Sequence, residues 1–124
     1  MRSHKLGKWG EDVATRYLRS KGLEILERNW CCDEGEIDIV ALDNETLVIV
    51  EVRTRTSDVY GTPEESLTRD KCRHIQQAAL SYLQTHDHLE PSWRIDVVAI
   101  YAHRYGSVDR IAHYENAIEG ERGL

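Results

Sequence analysis

A chain of 124 residues with 40% hydrophobic and 31% charged residues has room for one domain with a real core. The composition is globular rather than disordered and the length too short for two domains, so residues 1–124 are expected to form a single domain. The net charge of −6 excludes a generally basic nucleic-acid coat. That charge is unevenly placed. Residues 33–51 carry seven acids and no Lys or Arg, whereas residues 1–28 carry seven bases against four acids.

Met1-Arg2-Ser3-His4-Lys5 leads straight into an amphipathic pattern with no apolar signal core. No apolar run approaches the roughly 18–20 residues of a membrane span. A cytoplasmic location and no membrane partner are therefore expected. In residues 6–21, Leu6, Trp9, Val13, Ala14, Tyr17 and Leu18 recur at helical spacing, and Gly22 suits the helix end. Residues 23–31 read as a first strand. Strands over 36–43 and 46–54 follow, joined by a turn at Asp43-Asn44-Glu45-Thr46.

Thr62-Pro63-Glu64-Glu65 has the composition of a helix start, with a helix sustained to about His86; a restart near Thr68 fits equally well. Pro91 closes that segment. Trp93 to Tyr101 reads as a buried strand, Val108 to Tyr114 as an edge strand, and Asn116-Ala117-Ile118 as a short terminal helix. The order predicts an α/β domain with a mixed sheet and one helical crossover.

The hairpin carries the chemistry. A two-residue turn at Asn44-Glu45 sets Asp38 opposite Glu51 and Glu36 opposite Arg53. Two carboxylates with Cα atoms about 4.5–5.5 Å apart destabilise a sheet unless something relieves their repulsion, and a hard divalent cation does so. The plainer alternative is a pair of surface acids on a solvated face. Against it, Leu47 and Ile49 share Glu51's face while Val48, Val50 and Val52 fill the other. Lys71 sits on the apolar stripe between Leu67 and Ile75, either snorkelling or reaching toward the carboxylates. Glu11, at the edge of the first helix's stripe, either is solvated or reaches the same place. Asp96, inside an apolar run, needs a partner such as Arg94 or Lys71. His86 and His88 suit a solvated helix end better than a metal pair. Cys31, Cys32 and Cys72 read as reduced thiols, not as a disulfide or a zinc site.

Several of these pieces recur in order: Gly7-x-x-Gly10-Glu11-x-x-Ala14, Asn29, Gly35-Glu36-Ile37-Asp38-Ile39-Val40, Val50-Glu51-Val52-Arg53-x-Arg55, Gly61, Lys71 and Arg94-Ile95-Asp96-Val97-Val98. Together they resemble the YraN-like family of uncharacterised bacterial proteins. That family is similar to the PD-(D/E)xK nuclease superfamily and, within it, to archaeal Holliday-junction resolvases. The resemblance implies a restriction-endonuclease-like α-β-β-β-α-β core, with a mixed β-sheet flanked by helices. It further implies that Asp38 and Glu51 bind Mg²⁺ or Mn²⁺, that Glu11 assists, and that the substrate is a phosphodiester.

The departure is Arg53, where the superfamily signature has Lys; Arg keeps the charge but cannot give up its proton near neutral pH. Two functions are therefore expected to compete. One is a metal-dependent endonuclease on nucleic acid, DNA in the first instance and branched DNA by resemblance. Its catalytic residues would be Glu11, Asp38, Glu51 and Arg53, with Arg55, Lys71 and Arg73 (beside Arg69) holding phosphates, and with a homodimer as a possible assembly. The other is a non-catalytic nucleic-acid- or protein-binding module on the same scaffold.

Overall fold

The computed structural model describes residues 3–56, 61–86, 92–104 and 106–118. Helix α1 (Ser3–Ser20) forms because Val13, Ala14 and Leu18 fall on one face, where all three are buried. Gly22 ends it: at φ +96° it lets Leu23 N donate to Leu18 O and its own N–H donate to Arg19 O, each at 3.0 Å. These two bonds satisfy carbonyls that a helix end otherwise leaves open.

Strands β1 (Glu24–Cys32), β2 (Gly35–Asp43) and β3 (Thr46–Thr56) then form an antiparallel meander. The β2–β3 register runs from Asp43↔Thr46 to Ile39↔Val50, as the two-residue turn dictates, with Asn44 at φ +57°. A 3₁₀ turn (Glu64–Ser66) and helix α2 (Arg69–Thr85) carry the chain over to β4 (Trp93–Arg104), which pairs parallel with β3. Strand β5 (Ser107–Tyr114) adds antiparallel to β4, completing a five-stranded mixed sheet in the order β1-β2-β3-β4-β5.

Alternation along β3 divides the core. Val48, Val50 and Val52 pack with α1, while Leu47 and Ile49 pack with Ile75, Ala78, Ala79 and Tyr82 of α2. Gly10 lets α1 lie directly on β3, because a Cβ there would run into Thr54 Oγ1. Among the described residues, no helix is long and apolar enough to cross a membrane.

The start of the second helix, left open between Thr62 and Thr68, is settled as the restart at Thr68, and one expectation, the helix over 116–118, needs correction. The Thr62 to Glu65 capping box does form, with Thr62 N donating to Glu65 Oε1 at 2.9 Å and Glu65 N to Thr62 Oγ1 at 3.1 Å, but it starts only the 3₁₀ turn. Ser66's carbonyl is taken by Arg53 Nη2 at 3.2 Å, and Leu67 turns out of helix at ψ 89°. Helix α2 restarts with Thr68 as its cap, accepting from Lys71 N at 3.2 Å. No helix forms over 116–118. Asn116 adopts φ +53° and donates its N–H to Asp96 Oδ1 at 2.9 Å, while Ala117 N bonds Ile95 O at 2.8 Å, so the segment is tied down as a turn. Ile118 there enters the α2-side core. His88 and Pro91 lie outside the described residues.

Candidate metal centre and its cleft

Where the β2–β3 ladder ends at Ile39–Val50, the next step in the same register brings Asp38 beside Glu51. Asp38 Oδ2 accepts the Val52 N–H at 2.8 Å, and the two carboxyl groups are near enough for each to act on the other's ionisation. Asp38 is half-buried, and Glu51 is only 9% exposed. The anticipated facing of Glu36 and Arg53 does not arise, because the ladder stops short of them. Glu36 instead lies against Asn29, and Arg53 turns to Glu51.

Burial is the main reason these acids resist ionisation. It pushes the Asp38 carboxyl from 3.8 to about 9, with the Glu51 charge adding to the rise, the Val52 N–H opposing it, and Glu11 and Glu36 raising it further. Glu51 is also raised. Burial there outweighs the hydrogen bond and charge of Arg53, whose Nη1 meets Glu51 Oε2 at 2.9 Å.

A cleft of about 510 Å³ opens over this pair. Glu11 of α1 reaches it, with Asn29 Nδ2 donating to Glu11 Oε1 at 2.8 Å. The same amide donates to Glu36 Oε2 at 3.3 Å, so one neutral group gathers two acids without cancelling their charge. Asn29 faces Asp38 across β1 and β2, between the pairs Arg28↔Ile39 and Trp30↔Ile37. It holds φ +54°, a left-handed conformation unusual in a strand.

The basic residues divide. Arg53, Arg55 and Lys71 line the cleft. Lys71 is exposed, so its ammonium stands at the rim, and Arg55 spends Nη1 on the Thr54 carbonyl at 2.9 Å. Arg73 is not among the lining residues; it pairs with Asp70 at 3.1 Å on the exposed side of α2. Two residues that sequence reasoning missed belong here. His74 lines the cleft one turn after Lys71, a spacing that could have drawn attention to it. Ser66, bonded to Arg53, carries no signal of its own in the sequence.

The donor set suits a hard cation in part. Among the described residues, no group of three or more His, Cys, Asp and Glu converges to hold a metal ion. A Mg²⁺-type ion does not need such a cage, because it keeps several waters and takes one or two carboxylates from the protein. Asp38 and Glu51 could supply such a donor pair, and burial with the Glu51 charge holds the Asp38 carboxyl well above its ordinary range.

Asp96 lies apart from this cleft and is fully buried. Arg94 meets it through Nε at 2.9 Å and Nη2 at 3.3 Å, as the apolar run around it required, and His113 Nε2 and the Asn116 N–H complete its shell at 2.8 and 2.9 Å. Burial would raise its carboxyl, but these bonds hold it below the usual range. His86 Nδ1 lies 3.0 Å from Tyr82 O and its ring stacks on Tyr82, which explains the residue without a metal. The three cysteines are free thiols.

Residues 10–100, which span the cleft from Glu11 to Arg53 as well as Asp96, match the family model described as uncharacterised protein family UPF0102. The chain is 47% identical over 108 residues to a UPF0102 protein of Beutenbergia cavernae, covering 87% of this chain and 91% of that one. It is 45% identical over 112 residues to one of Pelotomaculum thermopropionicum, covering 90% and 93%. With one of Geobacter metallireducens it shares 44% over 119 residues, 96% of each chain.

Proposed function

This chain belongs to the uncharacterised protein family UPF0102, and we propose that it is a metal-dependent endonuclease of the PD-(D/E)xK type, acting as one domain on phosphodiester bonds of DNA. The observation that carries the reading is the Asp38–Glu51 pair: two carboxyl groups, one half-buried and one buried, on adjacent strands in a cleft that cations also line. A buried acid pair is costly to a fold that gains nothing from it. The order α1-β1-β2-β3-α2-β4 supports the reading, since it follows the α-β-β-β-α-β order that the resemblance implies.

In this reading Asp38 and Glu51 hold a Mg²⁺ or Mn²⁺ ion, and Glu11 approaches from α1 to orient water. A bound divalent ion supplies Lewis acidity toward a phosphate oxygen and acidifies water. The protein's own groups do the rest. The Val52 N–H fixes one Asp38 oxygen, so the carboxyl cannot rotate out of the cleft. Arg53 balances part of the charge on Glu51 and presents a guanidinium to a phosphate. Lys71 and Arg55 hold the flanking backbone of the substrate.

A second reading, a non-catalytic nucleic-acid-binding module, is favoured by one observation: Arg53 is already engaged by Glu51 and Ser66. The two separate in a single assay. Four-way-junction, duplex and single-stranded DNA are incubated with Mg²⁺ or Mn²⁺ at low and moderate salt, since phosphate binding by an acidic protein is salt-sensitive. The nuclease reading expects metal-dependent cleavage by the wild type and none by Glu51→Gln. Binding without cleavage under every condition would leave the module.

A further inference from the structure

Ser66 stands thirteen residues from Arg53, on an irregular segment, yet it makes two of that arginine's three contacts. A guanidinium has five N–H donors. Here Nε donates to Ser66 Oγ at 2.8 Å, Nη2 to the Ser66 carbonyl at 3.2 Å, and Nη1 to Glu51 Oε2 at 2.9 Å. The two remaining donors have no acceptor among the described residues, and Arg53 lines the cleft.

Ser66 is itself held on both sides. Its hydroxyl donates to Pro63 O at 2.6 Å, which commits the hydrogen and leaves the oxygen's lone pairs for Arg53. Two residues earlier, Glu64 accepts from Tyr101 of β4 and Tyr114 of β5, each at 2.6 Å. The 3₁₀ turn is thereby fastened to two strands of the sheet, and a chain of contacts runs from β5 and β4 through the turn to Arg53 and Glu51.

We infer that Ser66 is a positioning residue for the cleft, acting through Arg53 to keep that guanidinium at one bond to Glu51 and two free donors for a phosphate oxygen. The inference rests on the reading of the cleft as a phosphodiester site. Its physical basis is a competition. An arginine free to swing beside a carboxylate takes it by a two-bond fork. That fork would cover both of the Glu51 oxygens that an ion needs and would re-aim the donors left over. Ser66 occupies the Nε edge and prevents it. The same geometry accounts for Arg at position 53, since a lysine ammonium has no planar fork to divide between Ser66 and Glu51.

The test uses the full chain and two readouts. The first is the Arg53 Nε–H signal in a ¹H–¹⁵N spectrum, assigned by its loss in Arg53→Lys. It should be sharp in the wild type and in Ser66→Thr, which keeps the hydroxyl, and should shift and broaden in Ser66→Ala. The second is Mn²⁺-dependent cleavage of a DNA four-way junction. Ser66→Ala should lower kcat about 3- to 10-fold with little change in KM, and Ser66→Thr should restore it. In an Arg53→Lys background Ser66→Ala should have no further effect. An unchanged Nε–H signal in Ser66→Ala would overturn the inference, as would an equal loss of kcat in both backgrounds. If the wild type cleaves no DNA with either metal, the nuclease reading fails, and the Nε–H signal alone decides whether Ser66 holds Arg53.

Discussion

Replacing Asp38 by Asn should make the metal-free protein more stable, by an amount that depends on pH in a specific way. The unfolded chain has an ordinary carboxyl at 3.8, whereas the folded site raises it to about 9, mainly by burial and then by the Glu51 charge. A group raised on folding stabilises the fold fully only below its unfolded value, and that contribution is lost as pH rises toward the folded value. At pH 7, about three units above the unfolded value, folding must return a proton to Asp38 at about 1.4 kcal/mol per unit, a cost on the order of 4 kcal/mol.

An Asn at that position removes the titration and keeps a carbonyl oxygen for the Val52 N–H. Its amide can also donate to Glu51. Water in the cleft and the coupling to Glu51 reduce the gain, so about 2–4 kcal/mol is expected at pH 7. The assay is urea denaturation of both proteins in chelator at pH values from about 4 to 9. The difference between variant and wild type should be near zero at the acid end and should widen with pH. A variant less stable than the wild type at pH 7, or a difference that ignores pH, would refute the reasoning and make Asp38 a structural acceptor.

Other expectations follow from the same geometry. Asp96 is the opposite case: its carboxyl is held low, so its contribution is present above the unfolded value and lost as pH falls. Asp96→Asn should therefore lose about 2–4 kcal/mol in neutral urea titrations, with the loss shrinking under acid conditions. Asn29→Gly should nearly preserve stability, because Gly adopts φ +54° freely, yet weaken Mn²⁺ binding by releasing Glu11 and Glu36; calorimetry and denaturation together check this. Arg53→Ala should lower cleavage by about 10²–10³ while Arg53→Lys keeps much of it. Undiminished cleavage by Arg53→Ala would move the phosphate contact to Lys71.

The parts of this molecule legible in the sequence are those governed by local periodicity. The turn at Asn44-Glu45 fixes the β2–β3 register, and that register alone is enough to bring Asp38 toward Glu51. The helical stripe ending at Gly22 is equally local, as is the need of Asp96 for a partner inside an apolar strand. What could not be read depends on contacts between distant, irregular segments. The capping box at Thr62 looks the same whether it begins one turn or five. Arg53 decides the matter by taking the Ser66 carbonyl, and it comes from a strand thirteen residues away. Asn116 looks helical beside Ala117 and Ile118 until Asp96 claims its N–H. Arg73 is a different case, legible from helix phase alone: it lies about 200° around the helix from Lys71 and pairs with Asp70, while Lys71 and His74 face the site.

The central claim is that Asp38 and Glu51 form a divalent-cation site, and a calorimetric titration of the metal-free wild type with Mn²⁺ tests it most directly, alongside Asp38→Asn and Glu51→Gln. The account predicts saturable binding by the wild type, and none in either variant although both remain folded. Equal Mn²⁺ binding by all three proteins would contradict it, as would no binding by the wild type.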